Sequence, residues 1–312
     1  MTNPTSTPLV SIALCTYNGA VYLREQLDSL VHQDYASIEI IVCDDRSSDQ
    51  TLSILQDYCT RFSFIKLYQN EENLGYIKNF EKAIQLCAGD FIALSDQDDI
   101  WSLDKISKMV SHIGSNLLIY HNSEFINEAG ENMDRKLSDL LNMYKGNDFK
   151  PFLFFNSVSG HACLFKREMV QDCLPLPKTI FHDRWLAYTA ANLGSIAYLD
   201  LPLVKYRQHD NSDTNILKLK RKKNSVPIHG NTKILKTIRE LNALLAFKHN
   251  KDRNFMDKLL KLTQRRLNSY ICPALVIFMY RNFSSLTCIS KKSTFSRINF
   301  VFQHIWGGKL KK

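Results

Sequence analysis

The densest chemistry in this chain lies at Asp96-Gln97-Asp98-Asp99, where three carboxylates fall within four residues just after the apolar run Phe91–Leu94. Carboxylates that close repel one another unless a cation lies between them. Hard divalent cations take oxygen ligands, and Mg²⁺ is typically held by one or two carboxylates plus substrate phosphates. The competing use is local, because acidic residues also stabilise the positive end of a following helix, here expected over Trp101–Ile113. A second acidic group, Asp44-Asp45-Arg46-Ser47-Ser48-Asp49, follows the run Ile38–Cys43. An acid there can accept hydrogen bonds from a nucleotide base or ribose, while the serines and Asp49 serve a turn and a helix cap. Two more polar segments, Cys15-Thr16-Tyr17-Asn18-Gly19 and Asn70–Gly75, close further apolar runs. No G-x-G-x-x-G or G-x-x-x-x-G-K-[ST] occurs, so neither a dinucleotide cofactor nor an ATP P-loop is supported.

The elements that must position these groups are legible as alternating patterns. Leu9–Leu14, Ile38–Cys43, Phe64–Tyr68 and Phe91–Leu94 read as strands, separated by helical spacing over Tyr22–Val31, Thr51–Phe62 and Ile77–Cys87. This order predicts an α/β fold, a mainly parallel sheet with helices on both faces joined by right-handed crossovers. In such sheets a ligand binds beyond the carboxyl ends of the strands, where strand order reverses. All four polar segments follow strands, so the chemistry is expected at that edge. Further on, Leu117–Tyr120 is expected as a strand and Val158–Phe165 as a strand pair or a strand after a glycine loop. Trp185–Leu193 is expected as a helix, with Ile196–Leu199 and Leu203–Tyr206 as two strands around Pro202. From about residue 216 the pattern becomes basic and helical, after a hinge at Lys218–Lys223 and Pro227.

Charge divides the chain at the same place. Residues 1–215 carry 18 Lys and Arg against 28 Asp and Glu, whereas residues 216–312 carry 22 against 3. An acidic body with a basic tail implies an anionic partner for the tail, either nucleic acid or membrane headgroups. Acidic strand-end loops would oppose a nucleic acid, so a nucleic-acid-binding protein is the lesser reading. The eight cysteines form no CxxC and several sit in apolar runs, so they read as buried thiols of a reducing compartment. The start, MTNPTSTPLV, lacks a basic then apolar leader. The apolar run Ile271–Tyr280 contains Pro273 and is roughly half the ~20 residues a membrane span needs.

Together VSIALCTYNG, IEIIVCDDRSSDQT, NLGYIKNFEKAIQLCAGDFIALSDQDD and HDRWL resemble the family 2 glycosyltransferases of the GT-A fold, over roughly residues 9–215. The resemblance implies inverting, single-displacement transfer from a nucleoside-diphosphate sugar. It implies a nucleotide-sugar-binding half over 1–115 and an acceptor-binding half over 116–215, with the basic helical region over 216–312 lying beyond it. Thr16 and Tyr17 match the segment that packs on the base, and Asp45 or Asp44 the acid that holds it. Asp96 and Asp98 match the DxD pair, with Asp98 as direct metal ligand and Asp99 orienting it, and the metal is Mg²⁺ or Mn²⁺. Asp183 matches the general base; it precedes a helix, so an N-cap is its alternative use. His182 stands where the family usually has Glu, which leaves its role open.

Gly160-His161 would let backbone approach sugar or phosphate, or simply make a turn. His209 of YRQH would contact the metal or diphosphate, or act as a structural hydrogen-bonder. Trp101 flanks the donor or anchors its helix, and Asn73, Gly75 and Lys78 occupy the family's N-x-G turn and the residues behind it. Asn18, Gln97, His182 and Arg207 complete the expected donor set. The SDQDDIW, HDRWL and YRQH wording resembles the branch that includes bacterial rhamnosyltransferases, implying dTDP-L-rhamnose as donor, with a UDP-hexose as the alternative. The expected acceptor is a lipid-linked or other glycan of bacterial surface polysaccharide synthesis. The enzyme would then be cytoplasmic and peripheral at the inner face of the plasma membrane, its basic tail on anionic lipid.

Overall fold

The computed structural model describes residues 7–209, 216–217 and 230–311. The expected hinge at 218–223 and Pro227, and the first six residues, lie outside them. Strands and helices alternate through β1 (Val10–Thr16), α1 (Leu23–Val31), β2 (Ile38–Asp44), α2 (Thr51–Arg61), β3 (Ile65–Gln69), α3 (Tyr76–Leu86) and β4 (Phe91–Ser95). They are followed by β5 (Ile100–Trp101), α4 (Lys105–Ile113), β6 (Leu118–Ile126), β7 (Asn132–Lys136), α5 (Leu137–Leu140), β8 (Cys163–Lys166), α6 (Val170–Cys173), α7 (His182–Leu193) and β9 (Ile196–Arg207).

One sheet runs β3-β2-β1-β4-β8-β6-β9-β5, with β7 paired to β6. The first four strands are parallel, β8 is antiparallel to both neighbours, and β6 and β9 are again parallel. The order reverses between β1 and β4, which puts the switch point between the Thr16 and Asp96 loops. The strands read as unbroken apolar runs because both faces are covered. Ile12, Leu14, Ile40 and Val42 enter a core with α1, α2 and α4, whereas Ala13, Ile41 and Cys43 enter one with α3 and α7. Their alternation is the period of two that a strand imposes.

Three expectations are corrected. Ile196–Leu199 and Leu203–Tyr206 are one strand, because the register against β6 shifts at Asn122 and absorbs Pro202. The helix expected from Trp101 begins at Lys105, since Ile100 and Trp101 pair with Lys205 and Val204 instead. α7 starts at His182 with Phe181 at its N-cap, so Asp183 lies inside the first turn. Val158–Phe165 resolves as a strand after a glycine loop, with residues 160–162 forming a short 3₁₀ turn before β8.

The basic region is helical as expected: α8 (Gly230–Leu245), α9 (Arg253–Leu267), α10 (Pro273–Arg281), α11 (Phe283–Thr287) and α12 (Thr294–Phe302). Leu241, Leu244, Phe247, Met256, Leu259 and Met279 share a core with Phe149, Trp185 and Tyr188, so these helices pack on the sheet-bearing body. Among the described residues no helix is long and apolar enough to cross a membrane. All eight cysteines are free, five of them buried.

Candidate functional site

The strand-end loops are tied to one another by side chains. Gln97 clasps the β1 loop from both sides, its Oε1 accepting from Tyr17 N at 2.8 Å and its Nε2 donating to Tyr17 O at 3.1 Å. A Cβ on Gly19 would stand 2.2 Å from Gln97 Oε1, so only glycine leaves room for the clasp. Asn18 has φ 47° and bridges to the β2 loop, donating from N to Ser47 Oγ and accepting from Ser48 N at 2.8 Å. Asp45 organises the 70–75 loop, accepting from Asn70 Nδ2, Leu74 N and Gly75 N at 2.7–2.8 Å. Asn73 donates to Asp45 O and accepts from Gly75 N, and Gly75 (φ 78°) starts α3. Tyr17 is 49% exposed and open to a flat ring. Thr16 is buried and donates to Asp44 Oδ1.

The acidic loop of β4 builds two neighbouring groups. Asp98 Oδ2 lies 2.8 Å from His209 Nε2, joining two of the expected ligands at the partly exposed rim. Beneath them, one donor atom each from Asp96, Asp99 and His161 fall within 4.8 Å of one another. His161 Nδ1 stands 3.6 Å from Asp99 Oδ2 and 3.9 Å from Asp96 Oδ2, while its Nε2 meets Ser123 Oγ at 2.9 Å. Burial, then the Lys105 ammonium, hold the His161 ring down to about 3, so it is neutral and able to ligate. Asp99 is fully buried; its Oδ1 accepts from Arg207 N, but Oδ2 has no hydrogen-bond partner. Burial first, then the Asp98 and Asp96 charges, raise its pKa well above the carboxylate range. A buried carboxylate oxygen left over amid other carboxylates, facing a neutral imidazole, is a donor set that fits a hard divalent cation. His161, expected as a sugar contact, lies with its Nδ1 among these carboxylate oxygens.

Sequence spacing did not reveal Lys105, a fully buried lysine under this cluster. Its Nζ donates to His161 O at 2.6 Å and sits 3.0 Å from the Trp101 ring centroid. Burial lowers its pKa well below that of a free lysine, while Cys163, Asp99 and Asp96 pull it back. Only a lysine inside an otherwise apolar α4 face, IxxM, hinted at it.

Asp183 stands at the other end of the same loop. In the first turn of α7 it is mostly buried and accepts from Arg184 N at 2.5 Å. Burial pushes its carboxyl up to about 6, against the lowering influence of the Arg184 N–H, the Arg184 charge and the Gly160 N–H. Gly160 and His161 thus connect Asp183 to the acidic cluster. Beside Asp183, Tyr76 and Phe181 stack at 5.9 Å, both exposed, forming an aromatic step that the motifs did not flag. A cavity of about 350 Å³ opens next to Arg184, lined also by Phe154, Lys233, Lys236, Phe300, His304 and Glu240, which pairs with Arg184 at 2.8 Å.

Several expected donor contacts are reassigned. Trp101 is 2% exposed and packs in the core with α1 and α4, so it anchors the sheet edge and does not flank a ligand. Arg207 is 1% exposed and directs its guanidinium to Asp98 O, Glu128 O and Glu25 Oε2, so it fixes the acidic loop from within. Asp44 is fully buried and holds Thr16 Oγ1, Ser47 N and Ser47 Oγ, and Asp45, 3% exposed, likewise accepts three hydrogen bonds, so both acids shape the loops around the site. Lys78 pairs with Glu81 at 2.5 Å on its own helix. His182 stacks on Phe80 at 4.3 Å, neither ring nitrogen has a hydrogen bond, and burial lowers it to about 4. It is a neutral packing residue.

Gly160 is glycine for the same reason: a Cβ would come 2.7 Å from His182 Nε2, in a ring that cannot retreat from Phe80. Gly160→Ala is therefore expected to cost about 1–3 kcal/mol of stability by overpacking. It should also lower turnover by displacing both Asp183 and His161. Thermal melts with steady-state rates check this; an unchanged rate would mean that the loop is not a coupling element.

Comparison with known proteins agrees with the fold. The sequence model described as Glycosyl transferase family 2 matches residues 11–174. The dTDP-rhamnosyl transferase RfbG of Shigella flexneri is 30% identical over 64% of this chain and 72% of its own. S. aureus TarS 1–349 in complex with UDP-GlcNAc superposes with a TM-score of 0.58 at 16% identity, over 89% of this chain and 81% of that one. The mannosyltransferase PcManGT of Pyrobaculum calidifontis, in complex with GDP-Man and Mn²⁺, gives 0.51 at 16% identity, over 96% and 81%.

Proposed function

The chain belongs to glycosyltransferase family 2, and from that premise we propose that it transfers a sugar, with inversion, from a nucleoside-diphosphate donor to a glycan hydroxyl using Asp183 as base. The observation that carries this reading is the loop Gly160-His161, which joins a carboxyl near pKa 6 to a cation-shaped acidic cluster. Inversion requires the acceptor oxygen to approach the anomeric carbon from the side opposite the diphosphate. Asp183 takes the hydroxyl proton as the new C–O bond forms and the bond to the diphosphate breaks. A Mg²⁺ or Mn²⁺ ion held by Asp96 and Asp98, with His209 on the rim and Asp99 and His161 beneath, would neutralise the charge leaving on the diphosphate. Tyr17 and Asp45 take the base, and the stacked Tyr76 and Phe181 offer a face for a sugar ring.

The acceptor lies on the Arg184 side, where a cavity lined by Lys233, Lys236 and the Arg184–Glu240 ion pair offers both donors and acceptors to a glycan. On this reading residues 1–115 bind the donor, 116–215 the acceptor, and the enzyme works at the inner face of the plasma membrane on a lipid-linked acceptor. The donor is dTDP-L-rhamnose, a choice supported by the name of RfbG. A UDP-hexose is the second reading, favoured by the UDP-GlcNAc bound to TarS.

A thermal-shift panel of dTDP-L-rhamnose, UDP-GlcNAc, UDP-glucose and GDP-mannose with Mn²⁺ checks this. A ligand at 100 times its Kd stabilises by about 2.7 kcal/mol, so dTDP-L-rhamnose should raise Tm most. Stabilisation by UDP-sugars alone overturns the donor but not the enzyme class; no shift with any of the four sinks the reading.

A further inference from the structure

We propose that α10, α12 and the turns flanking them form a surface that docks on an anionic lipid bilayer, with the apolar groove between them taking an acyl chain. Large exposed apolar side chains concentrate here: Tyr270 62%, Ile277 53%, Tyr280 57%, Phe302 49% and Trp306 52%. Backbone contacts make them one surface. Ile271 bridges to Trp306, Cys272 N donates to Ile305 O at 2.7 Å, and Gly307 N donates to Tyr270 O at 2.8 Å. The groove has a volume of about 370 Å³ and is lined by Pro273, Val276, Ile277, Tyr280, Phe302 and Ile305, with Arg281 at its edge.

The platform is fixed from below by buried Arg266, whose guanidinium donates to Trp306 O at 2.9 Å and Gln303 O at 3.1 Å. The exposed aromatics are therefore presented by a rigid scaffold.

Charge selects the occupant. Residues 258–312 contain eleven Lys and Arg and no Asp or Glu. Arg265, Arg281, Lys291, Lys292 and Lys309 are exposed, and Lys309 Nζ lies 5.5 Å from the Tyr270 ring. Tyr and Trp with apolar bodies and polar tips, with Arg281 lining the groove and Lys309 beside Tyr270, match the headgroup layer of an anionic leaflet. A patch of this size on a soluble face is otherwise an association hazard. The docking rests on the proposed function only in its purpose, since it places the enzyme where lipid-linked acceptors are. Binding is read without turnover, so the two fail separately.

The full chain should sediment with phosphatidylglycerol vesicles at low salt, weakly at 0.5–1 M salt, where screening shortens to roughly 3–4 Å, and not with phosphatidylcholine vesicles. Ile277→Ser with Tyr280→Ser, both at exposed positions, should weaken vesicle binding about tenfold or more through lost apolar insertion. The same variant should keep the wild-type Tm and donor-induced shift. Arg281→Gln with Lys292→Gln should weaken binding and flatten its salt dependence. Protein left in the supernatant with phosphatidylglycerol, or an Ile277/Tyr280 variant that binds as wild type, overturns the proposal. So does a dimer in size exclusion that the same variant dissolves, which would make the patch an interface between copies of this chain.

Discussion

Asp183→Asn is expected to bind nucleotide-sugar as the wild type does and to lose about 10²–10⁴-fold in turnover, the usual contribution of a general base. Asparagine keeps the size of the side chain and an oxygen for the Arg184 N–H, which Asp183 accepts at 2.5 Å. The loss therefore reads the missing proton acceptor and not a collapsed helix. Burial raises the Asp183 carboxyl to about 6, which puts its conjugate base close to the pH at which it must work. Because the base acts deprotonated, kcat/KM should fall about tenfold per pH unit below that value and level off above it.

Stability moves the opposite way. The folded carboxyl binds its proton near 6 and the unfolded one near about 3.9. Between those values the folded state holds more protons, so this group's contribution to stability declines as pH rises from about 4 to about 6. Asp183→Asn should remove that dependence, which urea midpoints at pH 4.5 and pH 7 report. Near-wild-type turnover in the variant would assign the base elsewhere.

The donor half was legible because its signals are local. Both-face burial writes continuous apolar runs into β1, β2 and β4, and each run ends in the polar residues that now sit at one edge. What was not legible depends on partners distant in sequence. His161 meets Asp99 across sixty-two positions, and no spacing rule connects a residue before β8 to one after β4. Arg207 has the composition of a phosphate ligand, yet it is 1% exposed and turned onto Glu25, Glu128 and Asp98. Pro202 looked like a strand break because its effect depends on whether the neighbour can shift register, and β6 does so at Asn122. His182 joined the donor set through its place beside Asp183 in the motif, whereas stacking on Phe80 makes it apolar packing.

The acidic cluster supplies the other large effect. Removing divalent cations with EDTA is expected to abolish transfer without unfolding the protein, and Mn²⁺ or Mg²⁺ should restore it. The packed cores lie on either face of the sheet and owe nothing to a cation, so the fold should survive chelation. The loop chemistry should not, because Asp96, Asp98 and Asp99 crowd where a diphosphate would add further negative charge. Two ligand sets are possible, and variants separate them. Asp98 and His209 form the partly exposed rim, at 20% and 10% side-chain exposure, whereas Asp99 and His161 are at 0% and 2%. An ion that must also meet the donor's phosphates needs an open coordination position, which favours the rim with Asp96. Asp98→Ala should then lower Mn²⁺ affinity by more than the about 10–100-fold that loss of an outer partner costs, with His161→Ala staying inside that range. The reverse ranking in a Mn²⁺ titration would move the ion down to Asp99 and His161, and full activity in chelator would leave the cluster with no metal to hold.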